Sequence, residues 1–201
     1  MNAPVIGKIY YGQELRILGN PIDSTSVALP LQGSTASDTL MVPAGWMRIT
    51  YKGRAAYLLS TYLSPLPPPK QSREIPLGFA AYLLQLSPVL SENVEAKTTE
   101  FCSRLSRKHA NGIRYVSTDF GPCESCGHAQ EKIYFPGITP AQAWMMATHL
   151  YRLLRTDNPE NYLHYIASDN RLELYMESGQ SQSITIHLHD KGLWLTQETY
   201  L

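Results

Sequence analysis

The sequence lacks most of the features that announce a chemistry. It holds no Gly-rich phosphate loop, no His-Glu-x-x-His and no Gly-x-Ser-x-Gly, so nucleotide binding, zinc proteolysis and serine-esterase chemistry are not signalled. No apolar run reaches the roughly 20 residues that a membrane-spanning helix needs. The richest stretch, Leu77 to Leu86, is interrupted by Gly78 and Gln85 and stopped by Pro88, which is the pattern of a core-packing helix. Charge of one sign is also missing: Lys plus Arg and Asp plus Glu are 17 each, leaving no long-range field to draw in nucleic acid or an acidic membrane. Three cysteines are too few for a disulfide-dense scaffold. Met1 to Gly7 carry neither a basic start nor an apolar leader, so the expected compartment is the cytoplasm, or the periplasm if Met1 replaces a removed signal peptide.

What is present fits an ordinary globular chain. At 201 residues, two modest domains are a better expectation than one large one. Residues 5 to 18 read as a strand, because Leu15 and Ile17 alternate with Glu14 and Arg16. Trp46 to Tyr51 and Ala55 to Leu59 read as a hairpin around Lys52-Gly53-Arg54. The connection from Gly19 to Gly45 is long enough to carry a small hairpin or a function of its own.

These segments carry a resemblance. Tyr11-Gly12-Gln13-Glu14-Leu15, Gly45-Trp46-Met47-Arg48-Ile49, Gly53-Arg54-Ala55-Ala56-Tyr57-Leu58 and Ser60-Thr61-Tyr62-Leu63 are similar, in order and spacing, to the bacterial SH3 (SH3b) family. Ala56 departs from the family's usual Gly, and the Gly19 to Gly45 connection is longer than usual. The resemblance implies an SH3-like β-barrel over residues 1–66 that binds a protein or peptidoglycan, with Tyr11, Trp46, Tyr57 and Tyr62 as its candidate binding residues.

Proline then marks a boundary. Pro65-Leu66-Pro67-Pro68-Pro69 has the composition of a semi-rigid spacer, and residues 67–76 are expected to link the barrel to a second domain, 77–201. There Val94, Thr98, Phe101, Cys102 and Leu105 fall at helical spacing, predicting a helix over 92–109 that ends at Asn111-Gly112. Two strands, 113–120 and 130–135, follow around a Cys-containing turn. Thr139-Pro140 opens a second helix reaching about Arg155. Four antiparallel strands close the chain: 162–167, 171–177, 183–189 and 193–200. The expected second domain is α+β, an antiparallel sheet with helices on one face.

Few residues are candidates for chemistry. Cys123-Glu124-Ser125-Cys126-Gly127-His128 resembles half of a zinc knuckle, so Cys123, Cys126 and His128 are candidate zinc ligands, with Cys102, His109, His187 and His189 as further donors. Two free thiols or a local disulfide are the plainer readings, and a Cys-dependent hydrolase using Cys126 and a histidine is a third. Arg104, Arg107, Lys108 and Arg114 read as solvated helix charges rather than a nucleic-acid surface. The 13 tyrosines are more suggestive, since Tyr supplies rigid amphipathic area at interfaces, and Tyr165 and Tyr175 are candidate binding residues in the C-terminal sheet. The expected function is non-enzymatic binding of another protein, of which toxin neutralisation (immunity) is one form. A peptidoglycan-binding module is the alternative, and neither nucleic acid, membrane insertion nor an obligatory cofactor is expected.

Overall fold

The computed structural model describes residues 5–10, 12–30, 39–68, 78–96, 102–123, 126–139, 142–143, 162–168, 171–177, 182–189 and 191–200. They form two antiparallel sheets and one complete α-helix, and no barrel closes among them. This corrects the expectation of an SH3-like barrel followed by an α+β domain. Among the described residues no helix is long and apolar enough to cross a membrane.

The first sheet is built around one long strand. β1 (Arg16–Ile17), β2 (Ile22–Pro30), β3 (Thr39–Tyr51) and β4 (Arg54–Leu59) are followed by a 3-10 turn at Ser60–Tyr62. Trp46 of β3 pairs with Ile22 of β2 and with Leu59 of β4, while Thr50 pairs with Arg16 of β1 and with Ala55 of β4. β1 and β2 are therefore successive segments along one edge of β3, and β4 takes the other. Closure fails because no described strand pairs with the outer edge of β4. The expected strand over 5 to 18 shrinks to two paired residues, and within the connection after Gly19 residues 22–30 form β2 and 39–45 the first half of β3, with 31–38 outside the described residues. Lys52 and Gly53 both have positive φ, 49° and 75°, which makes the two-residue β3–β4 turn type I′. Ile49, 1% exposed, pairs with the buried Ala56 of β4.

Past the proline-rich stretch, α1 (Phe79–Leu86) forms where the apolar run predicts a helix. It buries Phe79, Tyr82 and Leu83, and the Tyr82 hydroxyl donates to the Pro67 carbonyl at 2.6 Å. The linker's residues 69–76 lie outside the described residues.

The second sheet has eight strands in the order β5-β6-β7-β8-β12-β11-β10-β9. Their ranges are β5 (Val89–Glu95), β6 (Ser103–His109), β7 (Arg114–Cys123), β8 (Cys126–Pro136), β9 (Tyr162–Ser168), β10 (Arg171–Glu177), β11 (Gln182–His189) and β12 (Gly192–Tyr200). It is two four-strand meanders joined where β12 pairs with β8. The four C-terminal strands fall within about a residue of their expected positions. The helix expected over 92–109 is instead the β5–β6 hairpin, whose Val94 pairs with Leu105 and whose Glu92 carboxylate accepts from Arg107 at 2.6 Å. An amphipathic helix needs an apolar face to bury, and every residue of β5 after Val89 is exposed. Asn111-Gly112, expected as a helix stop, is the β6–β7 turn, with Gly112 at φ 84°.

Alternation gives this sheet two unlike faces. Tyr115, Ile133, Leu195 and Ile186 form one continuous cross-strand row of buried side chains, with Phe135 and Leu193 beside it. The second helix begins where expected: Thr139 Oγ1 accepts from the Gln142 backbone N–H at 3.3 Å, and the Gln142 side chain accepts from the Thr139 N–H at 3.0 Å. This reciprocal cap occupies the predicted N-cap; residues 144–155 lie outside the described residues.

Candidate functional site

Among the described residues the opposite face of the eight-stranded sheet is half-buried to exposed, Thr118 apart, and its register places aromatic and cationic residues in rows. Arg114 pairs with Tyr134, Tyr134 with Trp194, and Trp194 with His187, across four strands. The Arg114 guanidinium lies 5.8 Å from the Tyr134 ring centroid, and the Tyr134 and Trp194 rings meet at 5.4 Å with a 49° tilt. Both distances are those of favourable cation–π and aromatic contacts, which fix ring orientation while leaving part of each ring wet.

A second row crosses the same strands nearer the β7–β8 turn. His128 is sandwiched between Phe120 and Tyr200, at 4.6 Å and 4.5 Å between centroids and within 11° of parallel. The outer rings stay open, Phe120 at 38% and Tyr200 at 41% exposure. Glu198 ties this row to the rest of the face, accepting from Tyr200 at 3.1 Å and from the Gln130 amide at 2.5 Å. The Glu198 bond, with lesser help from burial and the Glu198 charge, raises the Tyr200 hydroxyl above its ordinary range.

The candidate zinc site is resolved in part. Backbone register sets Cys123 opposite Cys126 across residues 124–125, while both cysteine side chains lie outside the described residues. His128 Nε2 is buried without a hydrogen-bond partner among the described residues, its ring faces covered by Phe120 and Tyr200. No group of three potential metal ligands occurs among the described residues. Cys102, expected on an apolar helix face, instead precedes β6, half-buried against Gly121. His109 is committed to structure: it is 1% exposed, and its Nδ1 lies 2.9 Å from the Ser87 carbonyl at the end of α1. A carbonyl can only accept, so Nδ1 carries the proton.

The candidate binding residues divide between the two sheets. Trp46, Tyr57 and Tyr62 are 40%, 51% and 52% exposed, and Trp46 is the diagonal neighbour of Tyr57 on one face of β3–β4. Tyr11 lies outside the described residues, as do the side chains of Tyr165 and Tyr175. By backbone register Tyr165 pairs with Leu174, in line with Ile184, whereas Tyr175 pairs with Ser183, in line with Glu198. The basic residues Arg104, Arg107, Lys108 and Arg114 sit on β6 and β7 rather than on a helix.

Sequence reading missed Trp194 and Tyr134 as a pair, because they are 60 residues apart along the chain and meet only through the β8–β12 register. It also missed Tyr115 and Glu131. On the covered face the Tyr115 hydroxyl donates to the Glu131 carboxylate, and burial first, then this bond, push the hydroxyl well above its ordinary range. Gln197, paired with Glu131 in register, is also buried. Glu131 and Gln197 are polar members of an otherwise apolar alternation, a weak signal that needs the register to be read. The chain matches no family model, no curated protein and no solved structure.

Proposed function

We propose that the chain is a non-enzymatic binding protein that uses the solvent face of its eight-stranded sheet to hold a folded protein partner. The observation that carries this reading is the row Arg114, Tyr134, Trp194, whose three side chains are held against one another on adjacent strands. Tyr, Trp and Arg are the residue types that dominate binding energy at protein interfaces, and rings already fixed by neighbours lose little freedom on docking. The equal numbers of acidic and basic residues also suit a protein partner better than a polyanion. Toxin neutralisation, as by a bacterial immunity protein, is one specific form of this reading.

A photo-crosslinking residue placed at Thr196, between the two rows, should capture one protein in the producing cell. Its affinity for the purified chain should fall at least about 30-fold in Trp194→Ala, as expected for a central anchor. A partner that binds Trp194→Ala as tightly as the parent chain overturns the assignment of this face. Sedimentation of the chain with purified peptidoglycan sacculi, blocked by Trp46→Ala and not by Trp194→Ala, overturns the protein-partner reading in favour of a cell-wall module.

A further inference from the structure

A second surface lies on the first sheet. The segment before β1 crosses the β3–β4 turn and leaves a shallow depression of about 440 Å³ lined by Gly7, Lys8, Tyr10, Gln13, Tyr51 and Lys52. Its walls are held in place: the Tyr51 hydroxyl donates to the Lys8 carbonyl at 3.2 Å, and the Gln13 N–H donates to the Tyr10 carbonyl at 3.1 Å. Gly7 passes close to Tyr51, and a Cβ there would stand 2.5 Å from the end of that side chain unless the ring shifted.

Two cations share this concavity. Lys8 Nζ lies 5.7 Å from the Tyr10 ring centroid and Lys52 Nζ lies 5.4 Å from that of Tyr51. No carboxylate lines the depression, and neither ammonium forms an ion pair among the described residues. The position of Lys52 is unusual in its own right. At φ 49° it occupies the first place of a type I′ turn, where Asn, Asp or Gly fits with less strain than a lysine.

We infer that this depression is a docking site for acidic side chains of a protein partner, with Lys8 and Lys52 as the paired point charges that receive them. Lysine suits single carboxylates, and each ammonium here keeps free donors facing solvent. Each ring carries a neighbouring ammonium group within about 6 Å of its centroid, and Tyr10 itself stays 68% exposed. Two cations without a carboxylate beside them, in a chain with 17 basic and 17 acidic residues and so no field for a polyanion, suit an acidic peptide segment better than a nucleic acid. The inference rests on the reading of the chain as a protein-binding protein, but it concerns a different surface.

The test is fluorescence anisotropy of the full chain with a labelled flexible peptide carrying four glutamates, against the same peptide with glutamines. The glutamate peptide should bind more tightly, and its affinity should fall as salt rises. Lys8→Gln and Lys52→Asn should each weaken binding about fivefold, as expected for loss of one solvent-exposed charge contact. Lys52→Asn should at the same time melt at an equal or higher temperature, because Asn fits the turn. Trp194→Ala and the distant Lys191→Gln should bind the peptide like the parent chain. Equal binding of both peptides, parent-like affinity in Lys52→Asn, or an equal loss in Lys191→Gln would overturn the site. Preference for an oligouronate over the glutamate peptide would overturn the peptide assignment. None of these outcomes touches the sheet-face reading, which stands or falls with Trp194→Ala and the captured partner.

Discussion

Gly121 and Gly53 have nearly the same backbone conformation, φ 77° and 75°, in opposite surroundings. A methyl group at Gly53 meets nothing within 4 Å, whereas at Gly121 it would collide with Cys102 Sγ. Gly53→Ala should therefore cost about 1 kcal/mol, the penalty of the left-handed conformation alone, and Gly121→Ala more than about 2 kcal/mol in urea denaturation. Cys102→Ala should recover part of the loss in the double variant, which a purely conformational origin would not allow. Tyr115 makes a prediction of a different kind. Its hydroxyl is raised above its unfolded value near 10 by burial and by Glu131, so between those values the folded chain keeps a proton that the unfolded chain has lost. Stability from this group is fully present below about pH 10 and declines as pH rises further. Tyr115→Phe should flatten that alkaline decline in denaturant titrations at about pH 8 and 11; an unchanged slope would refute the raised hydroxyl as its source.

Among the elements, the cap at Thr139 is the most exposed to test. Thr139→Ala removes one hydrogen bond of the box and should cost about 1 kcal/mol. Gln142→Ala removes the reciprocal bond and also the amide that donates to the Leu63 carbonyl at 2.6 Å, so it should cost more than Thr139→Ala in the same denaturation assay. This cap was legible in the sequence because its signal is local: a Thr-Pro pair placed before an apolar periodicity. The last four strands were legible for the same reason, since Leu172/Leu174/Met176 and Ile184/Ile186/Leu188 alternate without interruption. β5 and β6 were not. Val94 and Leu105 are apolar because they face each other across a hairpin, and their 11-residue separation coincides with three helical turns. The signal that separates the two readings is charge, for Glu92 with Arg107 and Glu95 with Arg104 also pair across the same hairpin. The barrel expectation failed on a longer range: strand existence was read correctly after Gly45, but which edges meet depends on β2, hidden in what looked like a loop.

At the scale of the whole molecule, the eight-stranded sheet should be graded in stability. β8 and β12 carry Ile133, Phe135, Leu193 and Leu195, all at or near zero exposure, whereas β5 is an edge whose Leu90 and Val94 are 64% and 67% exposed. Native-state hydrogen exchange should be slowest along the β8–β12 ladder and fastest along β5, and Leu195→Ala should cost about 2–5 kcal/mol while Val94→Ala should cost well under 1. The candidate faces were half legible. Exposed aromatics could be named from the sequence, yet their grouping into rows is a property of cross-strand register that no short window contains.

β12 follows the other seven strands of its sheet along the chain but sits in the interior of that sheet, between β8 and β11. During synthesis the first meander, β5 to β8, must therefore wait with the edge of β8 unoccupied until about 60 further residues have emerged. The latest-made of these eight strands is the keystone, and a ribosome stalled before Gly192 would leave two half-sheets, each offering a sticky flank to its neighbours.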